Sequence, residues 1–466
     1  MTVIKQNLFK RWTDYLSIAV QVSAAPLVTL RIAFGAIMFI STLRFIAKGW
    51  ISTYYIKPIF HFTYYGFDWI RPLGSTGMFG LFYLMAIAAL FVMAGLFYRA
   101  AIVTFFICFT YAELIDKTTY LNHYYFVSII SFLMIWVPAH RYFSGDVWRK
   151  PTLKVTTVPA WSILIFKLQL FIVYFFAGLS KINYDWLIDA MPLRIWLPDN
   201  SHLPWIGLFL KEEWIAYVFS WAGLIFDLCI GFILFNKKTV YFGYFLVVVF
   251  HTLTALFFPI GMFPYIMMSI TVIFFSDAFH EGIIKTLRKL AGKESTVVEQ
   301  NIPLNIAPAR KKFLVVLLSV YFILQLFLPL RYLLYPGHLF WTEEGFRYSW
   351  RVMLMEKAGM TLFHVMDKET KQTVNIANSN YLTPFQEKMM STQPDMILQY
   401  AHFLGEIYRT QGMKNPVVTA ESYVTLNRRG SEPFVDSNTN LLKETEGFQH
   451  KTWVLPFLPT KSVKCD

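Results

Sequence analysis

Apolar residues in this chain come in long unbroken runs, and that feature limits its possible folds more than any other. Residues 78–96 contain no charged side chain at all. A helix of about 20 such residues spans the hydrocarbon core of a bilayer. Nine candidate spans follow, near 27–47, 76–97, 100–115, 122–138, 161–182, 214–235, 239–257, 261–276 and 312–334, of which the third, fourth and eighth are short. Charged residues make up only 15% of the chain and mean hydropathy is +0.45, whereas soluble domains carry about 25% charged residues. A single soluble domain and a disordered chain are both excluded.

The net charge of +13 does not point to nucleic acid, because the Lys and Arg side chains lie between apolar runs and form no compact basic domain. They point instead to orientation. With a cytoplasmic N-terminus, seventeen Lys and Arg fall in inner loops and seven in outer ones, the bias that marks the cytoplasmic side. An odd number of spans then places everything after residue 336 outside, in the periplasm if the source is bacterial. Residues 1–26 read as a short interfacial helix with Leu8, Trp12 and Leu16 on one face, and Asp14 argues against a cleaved leader.

Residues 27–336 form the transmembrane domain on this reading, and 337–466 a small extracytoplasmic α+β domain. Within it, 347–355 and 360–366 read as a strand pair, the turn at Asp367-Lys-Glu-Thr370 as a second hairpin, 393–409 as an amphipathic helix, and 417–426 as a partly alternating strand. The expected fold class is therefore an α-helical integral membrane bundle of about nine helices with a C-terminal α+β domain. Cys108 and Cys229 lie inside apolar runs and read as small core residues; with Cys465 they make neither a metal site nor a disulfide framework. No internal repeat, Gly-rich phosphate loop, H-E-x-x-H or G-x-S-x-G is present.

Charges at membrane depth are costly and call for a partner or a function. Lys181 lies at the outer end of the fifth span, His123 opens the fourth from the same side, and His251 lies about 18 Å from the inner start of the seventh. The three converge on one level in the outer half. Asp227, Arg31 and Lys167 fall in the inner half on the same arithmetic, where Asp227 reads as the structural partner of Arg31 or Lys167, with a proton relay as the alternative. From spacing alone, Lys181 is a snorkelling helix anchor or an outward-facing intramembrane amine. The histidines are polar helix contacts or ligands, and a bis-histidine haem has no other support in the sequence.

The run Phe171-Ile-Val-Tyr-Phe-Phe-Ala-Gly-Leu-Ser-Lys-Ile-Asn-Tyr-Asp-Trp186 resembles F-I-V-Y-F-x-A-G-x-x-K-x-x-x-D-W of the vitamin K-dependent γ-glutamyl carboxylases and their bacterial relatives. Further matches are Leu114-Ile-Asp-Lys-Thr118 with Asn122-His123, Phe250-His251 with Ile260-Gly-Met-Phe263, Tyr348-Ser-Trp350 and, more faintly, Thr452-Trp-Val-Leu-Pro456. The resemblance implies an HTTM-type membrane enzyme. In that family a reduced naphthoquinone of the menaquinol or phylloquinol type reacts with O2 to make a strong base, which removes a γ-proton from a protein glutamate. CO2 then adds to give γ-carboxyglutamate, and the quinone leaves as its epoxide.

By the same resemblance Lys181 deprotonates the hydroquinone, His123 acts at the glutamate with Asn122 holding the site, and His251 belongs to the quinone pocket. Burial disfavours the charged form of an amine, which suits a base. The implied partners are membrane lipid, the naphthohydroquinone and exported glutamate-containing proteins. Ser180 stands where the animal enzymes have a second lysine, and the chain stops short of their C-terminal extension. The alternatives left open are a quinone epoxidase that does not carboxylate glutamate and a non-enzymatic quinone-binding or transport protein.

Overall fold

The computed structural model describes residues 20–290, 292 and 302–458. The expected interfacial helix falls largely outside the described residues. Its last part is corrected: Gln21–Ser23 is a strand, β1, paired antiparallel with β2, Thr157–Pro159, and Ala25 already opens a long helix.

The helices are α1 (Ala25–Ala47), α2 (Gly74–Ala94), α3 (Tyr98–Ile115), α4 (Asn122–Trp136), α5 (Trp161–Ser180), α6 (Glu213–Phe235), α7 (Val240–Phe257), α8 (Phe263–Thr271), α9 (Asp277–Leu290) and α10 (Pro308–Phe327). Seven segments are long and apolar enough to cross a membrane, α10 with its short 3-10 extension to Leu334 among them. An eighth arises if Phe263–Phe274 and α9, which meet at 113°, are counted as one broken span. The remaining expected span is α4, whose 15 residues rise about 22 Å, less than the ~30 Å core. Both short segments belong to the candidate site described below.

Helix packing follows from small residues at the contacts. A Cβ at Gly178 of α5 would come within 2.8 Å of the Leu228 backbone nitrogen on α6, so glycine sets the close approach of these two helices. Cys108 is buried as expected, but Cys229 is exposed on α6. It is not a core residue.

The C-terminal domain contains β3 (Lys357–Asp367), β4 (Thr373–Ile376), α11 (Pro384–Met390), α12 (Pro394–Thr410), β5 (Pro416–Leu426) and β6 (Glu432–Pro433). The strands form one antiparallel sheet in the order β4-β3-β5-β6. The hairpin turn after Asp367 and the helix near 393–409 are where the sequence placed them. In β5 the burial alternates residue by residue, with Val418, Ala420, Ser422, Val424 and Leu426 inward, as a half-buried strand requires. The expected pairing of 347–355 with 360–366 does not occur. Tyr348, Trp350 and Met353 all have positive φ, which breaks an extended strand, and β3 pairs with β4 and β5 instead.

The domain does not rest on the helices as a separate ball. Phe62, Trp186 and Phe257 from the helical part share one core with Phe363, Tyr400 and Val418. Ion pairs tie the seam. Lys117 Nζ lies 2.9 Å from Asp395 and 3.1 Å from Glu446, and Arg347 Nη1 lies 2.6 Å from Asp395. Burial alone would raise the Asp395 carboxyl, but Arg347 and Lys117 outweigh it and hold it well below the ordinary carboxylate range.

Candidate active site

Lys181 follows the last turn of α5, where four carbonyls lack helical partners and a cation is favoured. Its Nζ donates to Ala177 O at 3.3 Å and to Asp227 Oδ2 at 2.6 Å. Both side chains are almost fully buried, 7% and 6% exposed. Sequence arithmetic placed Asp227 in the inner half with Arg31 or Lys167; the structure puts it against Lys181. Arg31 donates to Phe143 O, and Lys167 lies over the Phe274 ring.

The error has a geometric source. About 21 Å of helix separates Glu213 from Asp227, but α6 starts well beyond the end of α5. Its first turns pack against residues 184–196, so helix starts do not share a plane. Charge also decides the pairing. An unpaired ammonium or carboxylate at this depth is far more costly than a pair in contact.

The segment after Lys181 roofs the pair. Asn183 Oδ1 caps the short helix Tyr184–Leu187 by accepting from Trp186 N at 2.9 Å, and Trp186 Nε1 donates to Ser220 O at 2.8 Å on α6. The indole ring centre then lies 5.3 Å from Lys181 Nζ. Next to it, Asp185 accepts from Asn427 at 2.6 Å and from Arg429 Nη1 at 2.9 Å in the C-terminal domain. Burial would raise Asp185, but these two donors hold it below its ordinary value. Three residues of the K-x-x-x-D-W run therefore have separate physical jobs: Lys181 pairs with Asp227, Asp185 locks the outer domain, and Trp186 covers the amine.

His251 and His123 share the Phe263 ring. His123 stacks on it at 5.6 Å, and His251 meets it edge-on at 5.9 Å. Both imidazoles therefore pack on one phenyl ring. His251 Nε2 hydrogen-bonds Tyr174 Oη at 3.0 Å, while its Nδ1 is buried without a partner. Tyr174 precedes Lys181 by seven residues, two turns on the same face of α5. Neither histidine touches Lys181 directly by hydrogen bond, ion pair or ring contact among the described residues. The two histidines share Phe263, whereas Lys181 pairs with Asp227 beneath Trp186.

Asn122 has no contact with His123 beyond sequence adjacency, and it faces the outer domain. Its Nδ2 donates to Arg351 O at 2.6 Å and its Oδ1 accepts from Tyr120 Oη at 3.1 Å; Tyr120 Oη in turn accepts from Tyr348 N at 2.7 Å. The positive-φ residues that broke the expected strand bend 346–351 into this gap, where Trp350 stacks on Tyr125 at 5.0 Å. A cleft of about 660 Å³ opens farther out, between residues 55–75 and α12, and shares no lining residue with Lys181, His123 or His251.

The HTTM domain family model matches residues 20–279, more than half of the chain, and the model of the vitamin K-dependent gamma-carboxylase lumenal domain matches residues 310–460. The chain belongs to the vitamin K-dependent gamma-carboxylase family. No solved structure matches it. The family matches point to a vitamin K-dependent, carboxylase-like function in an integral membrane protein, with vitamin K as cofactor and a glutamate-containing substrate.

Within the carboxylase frame, sequence reasoning missed Trp186, Tyr174 and Phe263 and misplaced Asp227. Tyr174 was findable, since its seven-residue spacing to Lys181 is a helical signal. Phe263 was not, because its role depends on the bend after α7. A buried polar chain was also missed, in which Tyr321 Oη donates to Gln169 Oε1 at 2.7 Å and Gln325 Nε2 donates to Tyr125 Oη at 2.7 Å.

Proposed function

We propose that this protein couples oxygenation of a reduced naphthoquinone to carboxylation of glutamyl side chains, with Lys181 as the base toward the hydroquinone. The observation that carries the reading is the buried Lys181–Asp227 pair beneath Trp186. A snorkelling anchor would hold its ammonium in water, whereas this one is held against a carboxylate. Asp227 also supplies what a bare desolvated amine would lack. An ammonium must lose a proton before it can accept one, and Asp227 Oδ2 at 2.6 Å is the acceptor already in place. The pair then works as a unit: Asp227 takes the resting proton and Lys181 receives the hydroquinone proton.

The residues fit a quinone. Tyr174, Phe226, Phe250 and Phe263 give aromatic walls, Phe226 and Phe250 stacking at 4.1 Å, and the partnerless His251 Nδ1 offers a hydrogen bond to a quinone oxygen. When bound, reduced vitamin K supplies with O2 the oxidation that drives glutamyl deprotonation. His123 acts at the glutamate, and Asn122 fixes the start of α4 to the outer domain through Arg351 O. Positive-inside charge supports a cytoplasmic N-terminus and an extracytoplasmic C-terminal domain, so the glutamyl substrate comes from exported proteins.

The test supplies purified protein with reduced vitamin K, O2, labelled bicarbonate and a Glu peptide, and follows epoxide and fixed label separately. Both products are expected. Lys181→Ala should abolish both, and His123→Ala should raise the epoxide formed per CO2 fixed, because it acts after oxygenation. Epoxide without fixed label would leave a quinone epoxidase; full quinone turnover by Lys181→Ala would refute the base.

A further inference from the structure

Arg44, in the last turn of α1, has no ion pair, and its guanidinium makes no hydrogen bond among the described residues. Nε is buried without an acceptor. A helix-end arginine that only complements the dipole or snorkels keeps its head in water. Here Nε is shut in and the guanidinium lies against a ring. Its guanidinium carbon lies 5.1 Å from the Trp50 ring centre, and a Cβ at Gly261 would come within 3.5 Å of Nη2. Gly261 has φ +64° and belongs to the Ile260-Gly-Met-Phe263 turn whose phenyl ring carries His123. A fixed cation with open donors thus sits one short turn from the imidazole assigned to the glutamate.

We infer that Arg44 is the carboxylate-binding residue for the acceptor: its planar fork of N–H donors receives the γ-carboxylate of a glutamyl side chain and so presents the adjacent γ-carbon toward His123. This rests on the proposed carboxylase reading. The chemistry suits the residue. Arginine stays charged in apolar surroundings and binds carboxylates bidentately, and the Trp50 face steadies the guanidinium by cation–π attraction. Arg44 also answers a specificity problem, since the reaction must take glutamate and leave glutamine. A guanidinium pairs with the acid and gains much less from the neutral amide.

A phosphate of an anionic lipid is the rival anion at a helix end, and the experiment separates the two. The full chain in nanodiscs is titrated with N-acetyl-glutamate N-methylamide and, separately, with N-acetyl-glutamine N-methylamide by calorimetry, in neutral lipid and with phosphatidylglycerol. The parent should bind the acid at least tenfold more tightly than the amide in both lipids. Arg44→Gln should weaken acid binding about 10- to 100-fold, as expected for losing charge-assisted hydrogen bonds, and leave the amide unchanged. Arg44→Lys, which keeps the charge and guards against misfolding, should fall between.

Equal binding of acid and amide by the parent, or parent-like acid binding by Arg44→Gln, overturns the inference. So does a phosphatidylglycerol-dependent loss of acid binding, which would assign Arg44 to lipid. Binding does not require turnover. A parent that binds the acid selectively through Arg44 and fixes no label refutes the carboxylase reading alone.

Discussion

The Lys181–Asp227 pair allows stability and chemistry to be separated by one cycle of variants. Asp227→Asn leaves a buried ammonium without its counter-charge. The two side chains are 7% and 6% exposed, so water cannot replace the lost partner, and breaking such a pair costs about 3–5 kcal/mol. Replacing both ends by apolar groups of similar size, Lys181→Met with Asp227→Leu, removes the desolvation penalty together with the attraction and should be neutral or stabilising by up to about 4 kcal/mol. The expected order of melting temperature in detergent micelles is therefore Asp227→Asn lowest, with the double variant level with or above the parent. Tryptophan fluorescence suits the measurement, because the Trp186 ring lies 5.3 Å from Nζ. Turnover should follow a different order: both variants lose epoxide and fixed label, the stable double variant included. If Asp227→Asn melts with the parent, the pair is not buried as described; if the double variant turns over, Lys181 is not the base.

Gly178→Ala should cost about 1–3 kcal/mol by overpacking, because its Cβ would meet the Leu228 backbone at 2.8 Å; Gly80→Ala, with nothing within 4 Å, should be harmless, and thermal melts compare them. Asp395 is held below its ordinary value by Arg347 and Lys117, so its contribution is present above the unfolded carboxyl pKa of about 3.9 and is lost only as pH falls through the lower folded value. The seam should therefore be insensitive between pH 5 and 8, while Asp395→Asn should remove about 2 kcal/mol at every pH in that window, read by chemical denaturation. A reporter fused after Asp466 should be extracytoplasmic, and a cytoplasmic signal would mean that the crossings are even in number.

The long helices were legible because twenty apolar residues in a row have few other uses, and β5 because its apolar residues partly alternate, a pattern its burial follows residue by residue. What sequence could not give was vertical registry. Depth was counted from each helix start, and α6 begins beyond α5, so Asp227 was assigned to the wrong partner. Segment 347–355 was misread for a local reason: its apolar residues alternate like a strand, but Tyr348 and Trp350 adopt positive φ, which no propensity for aromatic residues anticipates. Arg44 drew no reading from the sequence, because only the turn at Gly261 gives it a setting.

Segment 344–351 also explains how one site can serve two solvents. On the proposed function a lipid-soluble quinone reaches Lys181 from the bilayer and a peptide glutamate reaches His123 from water, and an open passage between them would hydrate the pair that burial creates. The chain closes the gap with backbone. Asn122 holds Arg351 O, Tyr120 Oη holds Tyr348 N, and Trp350, 1% exposed, stacks on Tyr125. Above this plug, Lys117 and Arg347 share Asp395, and Asp185 binds Asn427 and Arg429. The outer domain is thus fastened at two points around the site, one at the turn before α4 and one at the turn after Lys181. Those are the two turns that set the positions of His123 and Lys181. If the proposed roles hold, a rigid outer domain fixes the distance between the two chemistries, and loosening either fastening should uncouple quinone turnover from carboxylation before it unfolds the helices.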